Sequence, residues 1–379
     1  MQRRRFSQGV VPGHRLAAVV LLTVLVCVYA PEEGRATYLV FTIDVCWTCG
    51  DDFQGTWEGK EYGVPLIAEK LEQYGLKGTF LVSSLCPPDF TNTMLSNLRF
   101  LVSRGHDVEL HPHPDSVDFS RLHLTMYSIE ERRKILQTAI DNIKRAGAPS
   151  PIAHRAGDWA IDLETLSLLP EFGILMDSSI FPIASDCKVP LPENLANRFV
   201  KIGGLYQLPI TLIRRVPFIG YAGMTALDLD RTIWEEQEEA LKQIADHGLP
   251  VVTFYLHFSS LYRYVPSPVP YQPHKVTGPR EENITKFDNV LKLVTSDKRF
   301  NVVTARELWQ IFQERPKEFE GATFIPYTGI KLMYLKAWKD FFGHGIKNKI
   351  VAIAPIAFVV ALLTVVAYLS SARRAKRRQ

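Results

Sequence analysis

The chain has 379 residues, of which 46% are hydrophobic, 22% charged and 11% aromatic. This balance excludes disorder, collagen and a small disulfide-stapled scaffold, and it supplies material for a sizeable core. Lys and Arg number 44 against 40 Asp and Glu, a formal charge of +4, and much of that excess sits at the two ends, so no basic groove for nucleic acid is offered.

In chain order, Arg3, Arg4, Arg5 and Arg15 lead into an apolar run at 16–30, LAAVVLLTVLVCVYA. About 15 residues behind a basic lead suit a secretory signal better than a full span, which needs roughly 20. Val28 and Ala30 offer a cleavage site and Pro31 disfavours it, so 1–30 reads as a signal peptide or an uncleaved N-terminal anchor. A second run at 350–369 is uncharged, reaches spanning length and is followed by a basic tail, 370–379. Basic flanks stay on the cytoplasmic side. The expectation is a cytoplasmic-membrane protein whose main domain, 31–313, lies outside, with both termini inside if the first segment is retained. Residues 314–349 then form a juxtamembrane stalk with an interfacial helix carrying Trp338, Phe341 and Phe342. In that compartment disulfides persist, and Cys46, Cys49, Cys86 and Cys187 are an even set whose pairing the sequence does not fix.

Strand-like runs fall at 38–44, 78–83, 106–111, 151–155, 174–179, 206–210, 251–257 and 301–305. Amphipathic stretches separate several of them, at 64–75, 128–147, 162–173 and 228–248. In the second, Ile129, Ile135, Ile140 and Ile143 fall broadly on one face, and Ser128 with Glu131 predicts a capping box. Such alternation predicts an α/β fold with a parallel sheet and crossover helices, open or closed as a barrel. The Pro-rich segment 261–280 reads as a long irregular loop.

Polar residues collect where the predicted strands end: Asp44, His111, Arg155, Asp177 and His257. Ligand sites of parallel α/β folds form at that edge of the sheet. Side chains two apart on a strand share a face, so His111 and His113 point the same way, as do Asp44 and Cys46. A carboxylate, a thiol and two imidazoles are a donor set for a divalent metal. Solvated or hydrogen-bonded loop histidines are the plainer alternative for His111 and His113, as a core histidine is for His257 and a turn cap is for Asp177. The strand-end placement favours the metal. His106 lies on the opposite face from His111, and His123 has no assignment.

The blocks TIDVCW (42–47), ELHPHP (109–114), HRAGDW (154–159), MDSS (176–179) and YLH (255–257), in this order, resemble the polysaccharide deacetylase family of NodB-type carbohydrate esterases. The family blocks run TFDDG, H(S/T)xxH, RxPY, a block with a key Asp, and LxH, and the likeness covers about 38–310. It implies a distorted (β/α) barrel of about seven strands and metal-dependent removal of acetyl or formyl groups from an amino-sugar glycan or lipid-linked sugar. It makes Asp44 the general base, His111 a metal ligand, Arg155 the residue that orients Asp44, and His257 the general acid, with Asp177 holding His257. The implied cofactor is a divalent metal, zinc foremost, with cobalt, nickel or manganese as alternatives.

The departures are informative. The family's second Asp, normally a ligand, is Val45 here. Cys46 stands where some relatives carry an acidic ligand, so Cys46, His111 and His113 form the expected set. The rival is a Cys46–Cys49 or Cys46–Cys86 disulfide, after which Asp44, Asp51 or Asp52 completes the site. The HxxxH spacing would put a ligand at Asp115, where only His113 fits in histidine form, and RAGDW lacks the family's Pro. Trp47, Trp57 and Trp159 are available for stacking on sugar or for packing. Two other functions stand beside the deacetylase: a non-catalytic glycan-binding or assembly protein on the same barrel, and a CxxC oxidoreductase through Cys46 and Cys49.

Overall fold

Nine strands form one curved sheet in the computed structural model, which describes residues 36–343 except 117, 217–222, 268–273 and 322. The signal or anchor at 16–30 and the span at 350–369 lie outside the described residues. Among those described, no helix is long and apolar enough to cross a membrane.

The strands are β1 (Thr37–Val45), β2 (Thr79–Val82), β3 (Asp107–Leu110), β4 (Ala153–His154), β5 (Met176–Asp177), β6 (Lys201–Ile202), β7 (Leu205–Gln207), β8 (Val251–His257) and β9 (Phe300–Val302). Every run predicted as a strand joins this sheet. The order is β8-β1-β2-β3-β4-β5-β7-β6, with β9 pairing the first residues of β1 and β2 its last. All pairs are parallel except β6 with β7. The crossovers use α1 (Val64–Gln73), α2 (Thr91–Ser103), α3 (Ile129–Arg145), α4 (Leu163–Leu168), α5 (Trp234–His247) and α6 (Glu281–Ser296), and α7 (Ala305–Glu314) and α8 (Ile330–Gly343) follow β9. The predicted amphipathic stretches become α1, α3, α4 and α5. Ser128 and Glu131 exchange both capping-box bonds at the start of α3. Its buried stripe runs Arg132, Leu136, Ala139, Ile140 and Ile143, which leaves Ile129 and Ile135 at the margin.

Alternation along β1 sorts the chain into two environments. Leu39, Phe41, Ile43 and Val45 pack in the large core that the helices cover. On the other face, Tyr38 and Val40 belong to a second apolar cluster and are followed by Thr42 and Asp44. β8 runs beside β1 in the register Tyr38↔Val251, Val40↔Thr253, Thr42↔Tyr255 and Asp44↔His257. The concave face therefore grades from apolar at the N-terminal ends of the strands to hydroxyl and then ionisable at the C-terminal ends.

The expected barrel takes the form of a curled sheet, because the backbone ladder ends at β8 and β6. Residues between β7 and β8 bridge the gap. Thr253 N donates to Thr211 Oγ1 (2.9 Å), Thr253 Oγ1 donates to Pro209 O (2.6 Å), and Tyr255 N donates to Leu227 O (3.0 Å). Two other expectations change. The 261–280 loop contains an antiparallel ribbon, Tyr262–Val265 with Lys275–Pro279. The described part of the stalk packs on the body: Tyr327 and Thr328 pair with Arg214 and Arg215, and Met333 and Ala337 of α8 are buried.

Candidate active site

The C-terminal ends of β1, β3, β4 and β8 bring Asp44, His111, Arg155 and His257 together. Arg155, just beyond β4, is wholly buried and directs Nη1 at Asp44 Oδ1 (2.6 Å). Its remaining donors are held by Thr42 Oγ1 (3.1 Å), Ser178 Oγ (2.8 Å) and Ser178 O (3.2 Å). Trp159 and Tyr255 pack their rings on the guanidinium, 5.0 and 5.3 Å from its carbon. A buried charge is tolerated when its partners saturate it, and here those groups surround the guanidinium while Asp44 Oδ2 faces His111 Nε2 at 3.7 Å.

Beside it, Cys46, His111 and His113 offer one ligand atom each, all within 4.8 Å of one another. Cys46 Sγ lies 3.5 Å from His111 Nε2, and the two Nε2 atoms lie 3.1 Å apart. The remaining ring nitrogens are already committed. His111 Nδ1 meets Arg155 O at 2.9 Å and His113 Nδ1 meets Asp115 Oδ1 at 3.2 Å. Each of those partners only accepts, so each Nδ1 carries a proton, and in the neutral ring each Nε2 presents a lone pair. Two lone pairs and a sulfur facing one another repel unless a cation or a proton stands between them. The donor set and its outer hydrogen bonds therefore fit zinc or a similar divalent ion. Gly157 makes the close approach possible: a Cβ there would stand 3.0 Å from both Pro112 O and His113 Cε1.

His257 completes the group. Its Nε2 lies 3.0 Å from Cys46 Sγ, and its Nδ1 meets Ser259 Oγ at 3.0 Å. Burial pushes the Cys46 thiol up, but His257, His113 and His111 together hold it well below its ordinary value. Burial lowers His113 and His257, yet Cys46 lifts both above the ordinary imidazole value, aided by Asp115 for His113 and by Asp44 for His257.

The other predicted residues fall elsewhere. Asp177 does not hold His257. It accepts from His154 Nδ1 (2.8 Å) and Ser179 Oγ (2.6 Å), because β5 lies beside β4 while β8 is at the far end of the sheet. Neither proposed Cys46 disulfide forms: Cys49 pairs with Cys86, their Cα atoms 6.0 Å apart, and Cys46 and Cys187 are free. Asp52 is occupied by His274 N (2.8 Å), Asp51 is exposed, and Asp115 serves His113 instead of acting as a ligand. His106 sits away from the site, taking Gly78 N (3.2 Å) at Nδ1, and burial drives its pKa down to about 4. His123 stands 3.4 Å from Asp158. Trp159 packs against Phe181 and Tyr255, Trp57 is in an outer hairpin, and Trp47 adjoins His274 at a ring distance of 6.1 Å.

Sequence reasoning missed the supports of the site. Ser178 holds Arg155, and the MDSS block was the signal for it. Ser260 Oγ accepts from His257 N (2.9 Å) and donates to Asp230 Oδ2 (2.5 Å), so Asp230 braces the end of β8. Asn283 is buried and donates to Asp230 Oδ1 and to Ser260 O.

No family model matches the sequence, and no curated protein does either. Solved structures do resemble the fold. A provisionally assigned polysaccharide deacetylase from Mycobacterium smegmatis is 17% identical over 78% of this chain and 97% of its own, with a TM-score of 0.48. The 4-alpha-glucanotransferase of Thermococcus litoralis is 13% identical over 84% of this chain and 48% of its own, at 0.45. A family 4 carbohydrate esterase from Streptomyces lividans, in complex with acetate, is 11% identical over 78% and 100%, at 0.39. None of these likenesses assigns a family.

Proposed function

We propose that the protein is a metal-dependent hydrolase that removes an acetyl or formyl group from an amino-sugar glycan or lipid-linked sugar. We place it at the cytoplasmic membrane, its body outside, held by the apolar segments at 16–30 and 350–369. The observation that carries this reading is the convergence of Cys46 Sγ, His111 Nε2 and His113 Nε2 within 4.8 Å, beside the Asp44–Arg155 pair and His257. The order of the five sequence blocks supports it.

Cys46, His111 and His113 would hold the ion, zinc foremost, with cobalt, nickel or manganese as alternatives. When bound, a divalent ion polarises the acyl carbonyl and makes water a better nucleophile near neutral pH. The chain's own residues do the rest. Asp44 accepts the proton of the attacking water while Arg155 keeps the carboxylate fixed. Water oxygen bonds to the acyl carbon, the carbon–nitrogen bond breaks, and His257 passes its Nε2 proton to the departing amine. Trp47, half-buried beside His274, is the ring available to stack on a sugar.

The test is acyl release from N-acetylglucosamine oligomers by the full-length protein in detergent. Asp44→Asn and His257→Ala should each lose roughly two to four orders of magnitude in kcat with folding intact. Undiminished turnover in either variant refutes the assignment.

A second reading follows from the 3.0 Å contact between Cys46 Sγ and His257 Nε2, the arrangement of a cysteine nucleophile with its base. Cys46→Asp separates the two. A ligand carboxylate preserves activity in the metal reading, and no acyl-thioester is possible in the other.

A further inference from the structure

We propose that Ser83 is a fourth residue of the metal centre, its hydroxyl oxygen directed at the ion from the floor of the site beneath Cys46 and His111. This rests on the metal reading of that site. The placement follows from the ladder. Val45 pairs with Val82 and Val82 with Leu110, and all three side chains pack in the core that the helices cover. Two bonds carry the ladder one step further: Ser83 N donates to Val45 O (2.9 Å) and His111 N donates to Val82 O (3.0 Å). At that step Cys46, Ser83 and His111 stand level at the ends of β1, β2 and β3 and turn to the concave face. The following residue keeps the alternation. Ser84 points back to the helices, where its Oγ donates to Ala139 O of α3 (2.8 Å).

Ser83 stands on the middle strand of the three. β1 and β3 are two strands apart, roughly 9.5 Å, yet Cys46 Sγ and His111 Nε2 meet at 3.5 Å. The two side chains therefore lean together over β2, and a serine is short enough to leave them that room. Beneath them Ser83 is wholly buried, and its Oγ has no hydrogen-bond partner among the described residues. A buried hydroxyl without a partner weakens the fold and calls for a ligand or an ion. Other buried polar atoms share that condition away from the site: Thr37 Oγ1 and His106 Nε2 lie where β1 and β3 begin, at the opposite end of the sheet.

The hydroxyl suits an occupied site. It faces a sulfur and a nitrogen lone pair, and it offers one proton and two lone pairs of its own. With an ion between these groups, an oxygen lone pair turns to the cation and the proton is free to meet the Cys46 sulfur. The backbone is tied down for this. Ser83 O accepts from Thr48 Oγ1, and the Cys49–Cys86 disulfide fastens the loops that follow β1 and β2. The chain's donors become one sulfur, two imidazole nitrogens and one neutral oxygen, a mixed set suited to zinc or cobalt. Zinc expands to five ligands in some sites, which leaves the side towards Asp44 and His257 for the substrate.

Zinc affinity and folding stability of the full-length protein in nonionic detergent test this without any acyl substrate. In chelator competition, Ser83→Ala should weaken zinc binding about tenfold. Ser83→Asp, which puts an anionic oxygen in the same place, should tighten it about tenfold. A residue that only shapes the loop would not give opposite signs. In metal-free denaturation Ser83→Ala should be at least as stable as the parent, because it removes a hydroxyl that nothing satisfies. Zinc affinity unmoved in Ser83→Ala, or clearly lower stability of that variant without metal, overturns the proposal. So does an aspartate variant that folds and binds zinc no more tightly than the parent; if it does not fold, the alanine variant decides. Parent protein that takes up no zinc sinks the metal reading together with this one, whereas zinc binding without acyl release from any sugar sinks only the deacylase reading.

Discussion

Two halves of one site, side by side at the sheet edge, satisfy their buried polar groups in opposite ways. Around Asp44 and Arg155 the chain itself supplies the partners: each ion answers the other, and Thr42, Ser178 and the rings of Trp159 and Tyr255 surround the guanidinium. Around Cys46, His111 and His113 the chain turns a sulfur and two Nε2 atoms towards one another, with Arg155 O and Asp115 fixing the outer nitrogens and His257 Nε2 3.0 Å from the sulfur. The first half is complete as folded. The second is complete only when a cation or a proton enters. Preorganised charge belongs where chemistry is to occur, and an unfinished donor set belongs where something is to be held.

The comparison breaks most sharply at Arg155. Arg155→Met should cost about 3–5 kcal/mol of stability, because Asp44 is left as an uncompensated buried carboxylate. Adding Asp44→Leu should return most of it, since replacing both ions with apolar groups is often neutral. Chemical denaturation measures both, and an Arg155→Met variant as stable as the parent would show that the first half is not closed. In the second half, zinc at about a hundred times its Kd should stabilise the parent by about 2.7 kcal/mol and leave His111→Ala unmoved in the same melts. Asp115→Ala, which removes only the carboxylate behind His113, should weaken zinc affinity about 10–100-fold, read by chelator competition.

The smallest effect concerns Asp228, a buried carboxylate without the enclosure Asp44 has. Its nearest guanidinium, Arg231, is mostly exposed and 3.4 Å away. Burial, and then Asp230, push its pKa up from 3.8 to about 7. The folded state holds this proton more tightly than the unfolded state does. Its share of stability is therefore complete below pH 3.8 and is lost as pH rises through about 7, at no more than about 1.4 kcal/mol per pH unit. Asp228→Asn should flatten that slope in denaturation curves taken across the interval. An unchanged slope would remove Asp228 as its source.

Much of this geometry was legible in the sequence, for a stated reason. Strand alternation has a period of two, so Asp44 and Cys46, or His111 and His113, declare a shared direction without coordinates. Position at strand ends then gathered Arg155 and His257. Partner choice across the sheet was not legible. Asp177 and His154 are register partners on β5 and β4, and nothing in the linear order separates that pairing from one with His257 at the sheet's far end. Asp230, Ser260 and Asn283 were hidden because their roles arise from a turn, a strand end and a helix start that meet only in the fold. The cysteines illustrate the same limit. Spacing offered Cys46–Cys49, whereas the chain direction at the end of β1 sends Cys46 to the histidines and Cys49 to Cys86.

X-ray absorption at the zinc edge, on full-length protein reconstituted with one equivalent, tests the central claim most directly. The first coordination shell should contain one sulfur at about 2.3 Å and two imidazole nitrogens at about 2.0–2.1 Å, with the sulfur contribution lost in Cys46→Ser. A shell of nitrogen and oxygen alone in the parent protein, or no retained zinc after desalting, would contradict it.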